Sequence, residues 1–134
     1  NGLGKVVARD RPLFANASNK VTAVHGADCR NFWVAMHRFG TDEFLVYRVG
    51  PDGLDTVPVV SRVGKPHTGH QVSAFGNMKF SPDGNRLVVV RSGGIIQPAS
   101  IEVFDFDPVT GRVSNPHDLP YLGHPTDPAP QWVY

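Results

Sequence analysis

Two stretches of this chain, 57 residues apart, repeat the same pattern of a strand followed by a tight turn. The first is FLVYRVGPDG at residues 44–53, and the second is IEVFDFDPVTG at residues 101–111. Val21 and Met78, which precede these stretches, are also 57 residues apart. Repetition at a fixed spacing is typical of proteins that stack one supersecondary unit several times. The spacing therefore predicts a repeat architecture with two complete units.

Apolar residues at every second position dominate the rest of the chain, and helical periodicity is nearly absent. Most windows long enough for an amphipathic helix are interrupted by one of the 14 glycines or 12 prolines. Short apolar runs bounded by such turn residues are typical of β-strands. The sequence therefore predicts an all-β protein without helices. The nine predicted strands cover residues 5–8, 20–24, 32–37, 44–49, 57–63, 77–80, 86–90, 101–106 and 112–115.

The turns between these strands have a chemistry of their own. In the sequence SPDG at residues 81–84, proline supplies a φ of about −65° and glycine accepts a positive φ. We therefore expect a hairpin between strands 77–80 and 86–90, and similar reversals after the strands of both repeats. The residues predicted to have this structural turn role are Ser81, Pro82, Asp83, Gly84, Pro51, Asp52, Gly53 and Gly111.

Four antiparallel strands per repeat describe a β-propeller blade. Each unit spans about 50 to 58 residues, slightly longer than common propeller repeats. Strand 44–49 has apolar groups on both faces, which is typical of a sheet enclosed between two neighbours. We therefore expect two four-stranded antiparallel blades plus part of a neighbouring blade, as a fragment of a larger propeller. The expected division is residues 1–14 as the outer strand of a preceding blade, 20–64 and 71–120 as two blades, and 121–134 as a linker and the start of a following strand.

The charge balance argues against several classes of partner. The chain has 13 Lys and Arg against 12 Asp and Glu, a formal net charge of +1. No basic run with interleaved aromatic residues predicts a surface for nucleic acid or anionic membrane. The longest apolar stretches, such as residues 87–90, are far shorter than the ~20 residues that span a bilayer. We expect no nucleic-acid partner and no membrane span, and the single cysteine, Cys29, excludes an internal disulfide.

Several stretches are similar to a known group of propellers. KVTAVH at residues 20–25, FWVAMH at 32–37 and FLVYRV at 44–49 resemble the propeller region of large surface proteins from gliding bacteria. Those proteins often carry PKD-like modules and a type IX secretion sorting domain. MKFSPDGNRL at 78–87 and VFDFDPVTG at 103–111 resemble the same group and, more loosely, WD-repeat-like, TolB-like and lactonase-like propellers. The resemblance implies a secreted or bacterial cell-surface location.

Two pairs of side chains are candidates for metal binding. His67 and His70 would converge on one ion if their loop folded back on itself. Asp105 and Asp107 lie two residues apart on a strand and therefore point to the same face, where paired carboxylates bind calcium or do acid–base chemistry. A structural role in turns and connections is favoured for all four residues. We therefore expect no metal and no other cofactor.

No nucleophile or phosphate-binding signature is present in the sequence. The motif G-x-S-x-G is absent, and Gly93-Gly94 is not followed by the Lys and Ser or Thr of a P-loop. No catalytic or cofactor-binding residue is therefore assigned. The leading hypothesis is a non-catalytic propeller that binds protein or glycan through its loops, or acts as a scaffold beside the remaining blades of the same polypeptide, in adhesion, gliding or type IX secretion. The alternatives are part of a lactonase-like propeller hydrolase with a metal in the central channel, and a structural spacer.

Overall fold

The computed structural model describes residues 2, 4–6, 9–69, 71–93 and 99–119, which form two antiparallel β-sheets. These ranges contain no α-helix, only a 3₁₀ turn at Gln71–Ala74, and no helix in them is long and apolar enough to cross a membrane. The predicted all-β class is therefore confirmed. The strands are β1 (Ala17–His25), β2 (Phe32–Arg38), β3 (Glu43–Gly50), β4 (Gly53–Leu54), β5 (Val59–Arg62), β6 (Gly76–Phe80), β7 (Arg86–Arg91), β8 (Ser100–Asp107) and β9 (Arg112–Leu119).

In the first sheet, β1, β2 and β3 form a meander, and two short strands together occupy the fourth strand position, beside β3. β1 pairs with β2 and β2 pairs with β3, both antiparallel. β4 and β5 both pair with the free edge of β3, at opposite ends of it. The sequence predicted one strand over residues 57–63, but β5 begins at Val59. Pro58 has no N–H to donate to the ladder, which accounts for the late start.

The second sheet is a meander of β6, β7, β8 and β9. All four predicted strands are present, and each is longer than expected. The largest extension is in β9, which continues past Pro116 to Leu119. The pairing of β8 with β9 shifts register between Val103 and Asp105, and Asn115 has a φ of 48° at this irregularity. β9 is an edge strand, where a bulge and a proline are tolerated.

The two sheets pack face to face, with equivalent strands side by side. β1 lies against β6, and β5 lies against β9. At the centre of the interface the rings of Phe44 and Phe104 meet edge to face, with centroids 4.9 Å apart. The core comprises Trp33, Ala35, Phe44 and Val46 of the first sheet and Met78, Leu87, Val89, Phe104, Phe106 and Val113 of the second.

The first sheet also has an outer face, directed away from this core. Phe44 and Val46 of β3 belong to the core, so Leu45 and Tyr47 point to the other side. Leu45 and Tyr47 are nevertheless buried, and the ring of Phe14 stacks on that of Tyr47 with centroids 6.3 Å apart. Apolar groups therefore occupy both faces of this sheet, in agreement with the pattern of strand 44–49.

The two ends of the chain differ in what the structure describes. Residues 1–14 were predicted to contain an outer strand, but none of the described residues among them is in a strand. Asp10 has a φ of 53° and Pro12 follows it, and both interrupt an extended ladder. Residues 7 and 8 of the predicted strand 5–8 lie outside the described residues, as does the whole of 121–134.

Candidate functional site

The first candidate pair, Asp105 and Asp107, lies on the outer face of the second sheet. The neighbouring Phe104 and Phe106 point into the core, so both carboxylates point away from it, as the spacing predicted. Asp105 forms an ion pair with Arg86, its cross-strand neighbour on β7. Its Oδ2 also accepts a hydrogen bond of 2.7 Å from Nδ2 of Asn115. The carboxylate of Asp105 therefore joins three strands of the sheet.

Asp107 stabilises the turn between β8 and β9. Its Oδ2 accepts a hydrogen bond of 2.6 Å from the hydroxyl of Thr110, and its Oδ1 accepts one of 2.9 Å from the amide of Val109. These two bonds lower the pKa of Asp107. The amide of Gly111 closes the turn on the carbonyl of Asp107. Both oxygens of this carboxylate are engaged in the turn, which is the structural role favoured from the sequence.

The predicted turn residues lie in tight reversals. Between β6 and β7 the amide of Gly84, with φ 73°, donates to the carbonyl of Ser81 at 2.9 Å. The carboxylate of Asp83 accepts hydrogen bonds from the hydroxyl of Ser81 and the amide of Asn85, and these lower the pKa of Asp83. Pro51 and Asp52 connect β3 to β4, and Gly53, the first residue of β4, has a φ of 110°. These contacts are all local to the turns.

The second candidate pair is only half described, because His70 lies outside the described residues. His67 is buried, and its imidazole stacks on that of His37 with centroids 3.8 Å apart and planes 21° apart. His37 in turn meets Phe44 edge to face at 4.8 Å. Both nitrogens of His37 and Nδ1 of His67 are buried without a hydrogen bond among the described residues. The observed neighbour of His67 is therefore an imidazole that sequence reasoning did not assign to it.

The charges that act on the two imidazoles are mostly positive. Lys20 is fully buried, and its Nζ donates hydrogen bonds of 3.0 Å to the carbonyls of Ser73 and Ala74. Burial, reinforced by the charge of Arg91, lowers the pKa of Lys20 to about 8. We call Lys20, His37 and His67 the histidine cluster. No three His, Cys, Asp or Glu side chains in the described ranges are grouped closely enough to hold a metal ion.

Burial keeps both imidazoles of the histidine cluster neutral. It lowers the pKa of His37 to about 4, with a further contribution from the charge of Lys20, while the backbone of Arg38 and the carboxylate of Glu43 act in the opposite direction. Burial lowers the pKa of His67 to about 2, with contributions from His37, Lys20 and Arg91. Apart from the carboxylate of Glu43, the charges that act on the stacked pair are positive, which disfavours a bound cation. This cluster is a structural element of the interface.

A cavity of about 310 Å³ opens at the other end of the interface, between the loop after β1 and the turn after β8. Nε1 of Trp33 donates a hydrogen bond of 2.9 Å to the carbonyl of Pro108, and the amide of Ala27 donates one of 3.1 Å to the same oxygen. These bonds hold the two loops together across the sheets. We call this cavity the loop groove; its lining residues are Ala27, Asp28, Asn31, Trp33, Arg48, Pro108 and Val109.

The loop groove offers both charged and apolar contacts. Arg48 is exposed, with Nη1 3.7 Å from Oδ2 of Asp55, so its guanidinium retains free donors toward the groove. Oδ1 of Asp28 accepts a hydrogen bond of 3.0 Å from the amide of Arg30, which leaves its other oxygen open. Trp33 is only 6% exposed, since Gly111 packs against its ring. The groove therefore presents hydrogen-bonding groups and no open aromatic face.

A smaller cavity of about 260 Å³ lies beside Gly64 and Pro116. Lys65 spans it: its amide donates a hydrogen bond of 3.1 Å to Glu102, and its Nζ lies 2.6 Å from a carboxylate oxygen of Asp118. Burial raises the pKa of Glu102, which the amide of Lys65 partly offsets. The side chains that line this cavity are already paired with each other, which makes it a weaker candidate than the loop groove.

Sequence reasoning identified neither the loop groove nor the histidine cluster. The only local signal for the groove was the polar stretch GADCRN at residues 26–31, and such a stretch is typical of any loop. The pairing of His37 with His67 spans 30 positions and has no signal in either neighbourhood. Comparison of the chain with models of protein families, with curated proteins and with solved structures found no match.

Proposed function

We propose that this chain is a pair of consecutive blades from a propeller-type stack, which serves as a binding and scaffolding module and recognises a protein segment in the loop groove. The resemblance of residues 20–49 to propellers of bacterial surface proteins implies a secreted or cell-surface location, which is part of this proposal. In this proposal the two sheets are the rigid part, and the loops between them carry recognition.

The observation that carries the proposal is the orientation of equivalent residues. Phe44 and Val46 of β3 point into the interface, whereas Ile101 and Val103, each 57 residues later, are outside the core on β8. The opposite faces show the same relation, since Tyr47 lies on the outer face of the first sheet and Phe104 lies in the core. The two sheets therefore bury faces that are not equivalent: the second sheet buries the face that corresponds to the outer face of the first sheet.

The neighbour relations of the strands support the same arrangement. β1 lies against β6 and β5 lies against β9, so the first and last strands of the two sheets are aligned. A two-layer sandwich with a two-fold axis would bring equivalent faces together instead. Sheets stacked in the same sense follow one another around a propeller, in which every blade repeats the contact made by the previous pair.

The loop groove is the part of this stack that is suited to a ligand. The donors of Arg48 and the open oxygen of Asp28 match the backbone and charged groups of a peptide. Sugar rings bind preferentially on open aromatic faces, and the ring of Trp33 is covered by Gly111. A protein segment is therefore favoured over a glycan.

The experiment is selection of binders to the 134-residue chain from a phage-displayed random peptide library, with a glycan array in parallel. Peptides selected by the wild type should lose binding to Arg48→Glu by tenfold or more. Lys79→Glu, an equal charge reversal at an exposed lysine on β6, should bind normally. Selected peptides that bind Arg48→Glu as well as wild type would refute the groove, and retention of a glycan alone would change the ligand class.

The lactonase-like hydrolase receives no comparable support. Its predicted carboxylates, Asp105 and Asp107, are engaged by Arg86, Asn115 and Thr110 in contacts that hold strands and a turn. His67 lies on the inner side of the interface in contact with His37. Asp105 and Asp107 therefore lie on one side of the second sheet and His67 on the other, so these three described candidates do not converge.

A further inference from the structure

The outer face of the first sheet combines a covered centre with an exposed apolar rim. Val21, Val60 and Phe32 are 58%, 50% and 44% exposed, respectively. Cross-strand pairing places Val21 and Val60 in one row with Leu45, and Phe32 in a row with Val49 and Leu54. These exposed residues therefore belong to one apolar patch, which is larger than the single apolar residues that are normally scattered over a protein surface.

We propose that this outer face binds the outer face of the second sheet of another copy of this chain, in a head-to-tail contact that repeats the one between the chain's own two sheets. The proposal rests on the proposed stacking of the sheets in one sense, and it names the partner of the face. The same chain carries both halves of the contact, so association continues from copy to copy until the ring of sheets closes.

Phe14 marks the place where the second copy docks. In the interface between the sheets, the ring of Phe104 packs against that of Phe44. Tyr47 lies 57 residues before Phe104, and on the outer face its ring packs against that of Phe14. Phe14 therefore substitutes for the aromatic partner that a neighbouring sheet supplies to the equivalent residue. By the same spacing, Ile101 of a docked copy takes that position.

Few contacts hold the segment that contains Phe14. The amide of Phe39 donates a hydrogen bond of 2.7 Å to the carbonyl of Asn16. The guanidinium of Arg38 lies 5.7 Å from the centroid of the Phe14 ring, a cation–π contact. Residues 9–16 form no strand with the sheet, and the side chain of Phe14 remains half-buried. Such a segment is displaced by a sheet face at small cost.

The outer face of the second sheet is complementary in composition. The row Val90, Ile101 and Leu119 crosses three strands, and Val88 and Val103 form the centre of the next row, between the exposed Lys79 and His117. Leu119 is 47% exposed, and the other four apolar residues are half-buried. This apolar centre matches the apolar rim around Tyr47, just as the two inner faces match each other.

The test is sedimentation velocity of the 134-residue chain over a range of concentrations, combined with two variants that each block one face. We expect the wild type to form oligomers, and Val21→Asp and Ile101→Asp to be monomeric alone. Mixed in equal amounts, these two variants should form 1:1 dimers and nothing larger, since each retains the face that the other has lost. Val57→Asp, at a residue that is 83% exposed and outside the sheets, is the matched control and should associate like wild type.

Phe14→Ser should strengthen association about tenfold, because the competing aromatic contact is lost. If Ile101→Asp does not fold by circular dichroism, Leu119→Asp blocks the same face at a more exposed position. A wild type that is monomeric at all concentrations overturns the proposal. So does a mixture of the two variants that stays monomeric, or an Ile101→Asp variant that still forms dimers. Peptide binding in the loop groove, measured on the same samples, reports separately on the proposed function.

Discussion

The two ends of the interface between the sheets are closed by different chemistry. At one end the histidine cluster buries three side chains that titrate. At the other end, beside the loop groove, Trp33 donates to the carbonyl of Pro108 and Gly111 packs against the indole. Both ends border the same apolar core around Phe44 and Phe104. The stability of one end therefore depends on pH, whereas that of the other end depends on backbone geometry and packing.

Acidification should have the largest effect on the free energy of unfolding, and this effect should come from the histidine cluster. The pKa values of His37 and His67, about 4 and about 2, lie below the ordinary value of 6.5 that they regain on unfolding. Above pH 6.5 their contribution to stability is complete; below it, the unfolded chain binds protons that the folded chain does not. The free energy of unfolding should therefore fall by up to about 1.4 kcal/mol per pH unit for each histidine between pH 6.5 and 4. Urea denaturation at several pH values measures it.

The control for this prediction separates the histidines from the carboxylates. Asp83 and Asp107 also have lowered pKa values and lose their contribution as the pH falls through acidic values. The measurement is therefore the difference between wild type and the double variant His37→Gln, His67→Gln, which should lose most of the slope between pH 6.5 and 5. An identical slope in the double variant would show that the imidazoles are not the cause.

Gly111→Ala tests the geometry of the groove end and should have the second largest effect. Gly111 has a φ of 75°, and a Cβ there would lie 2.7 to 2.9 Å from atoms of the Trp33 ring. Strain and displacement of the indole should lower the free energy of unfolding by about 2–3 kcal/mol, equally at pH 7 and pH 5. Gly40→Ala is the matched control: its φ is 85°, nothing lies within 4 Å of its Cβ, and it should lose only about 1 kcal/mol. Equal losses in the two variants would contradict the packing against Trp33.

Trp33→Phe should lower the free energy of unfolding less than Gly111→Ala does, and by the same amount at every pH. It removes the hydrogen bond to the carbonyl of Pro108, which still accepts one from the amide of Ala27. No buried acceptor is left without a partner, so thermal denaturation should report a loss of about 1–2 kcal/mol. A loss that grows on acidification would mean that the two ends are coupled.

Lys20→Met, at the histidine end, should produce the smallest change in the pH dependence of stability. The charge of Lys20 lowers the pKa of His37, so its removal raises that pKa. The folded chain then binds a proton more readily, and the loss of stability from pH 7 to pH 5 should shrink, by less than about 1 kcal/mol. Lys79→Met, at an exposed lysine, should leave the loss unchanged. Urea denaturation at the two pH values compares the variants, and a larger acid loss in Lys20→Met would contradict the electrostatic coupling.

Much of the secondary structure followed from local patterns. The alternation in residues 44–49 and 101–106 predicted β3 and β8, because side chains of a strand alternate between its faces. The SPDG turn was predictable, since its hydrogen bonds involve residues within a few positions of one another. The division of the fourth strand at Pro58 and the extension of β9 past Asn115 were missed. Both depend on the pairing partner as well as on the local sequence.

The all-β class, the antiparallel order of the strands and the structural use of the turn carboxylates were predictable from local sequence, because periodicity and turn chemistry act over a few residues. The burial of Lys20 between the sheets, the stacking of His37 on His67 and the hydrogen bond from Trp33 to Pro108 were not predictable, because they depend on tertiary packing. These partners are 30 to 75 positions apart along the chain. Their meeting is fixed by the packing of one sheet on the other, and no local pattern of residues encodes it.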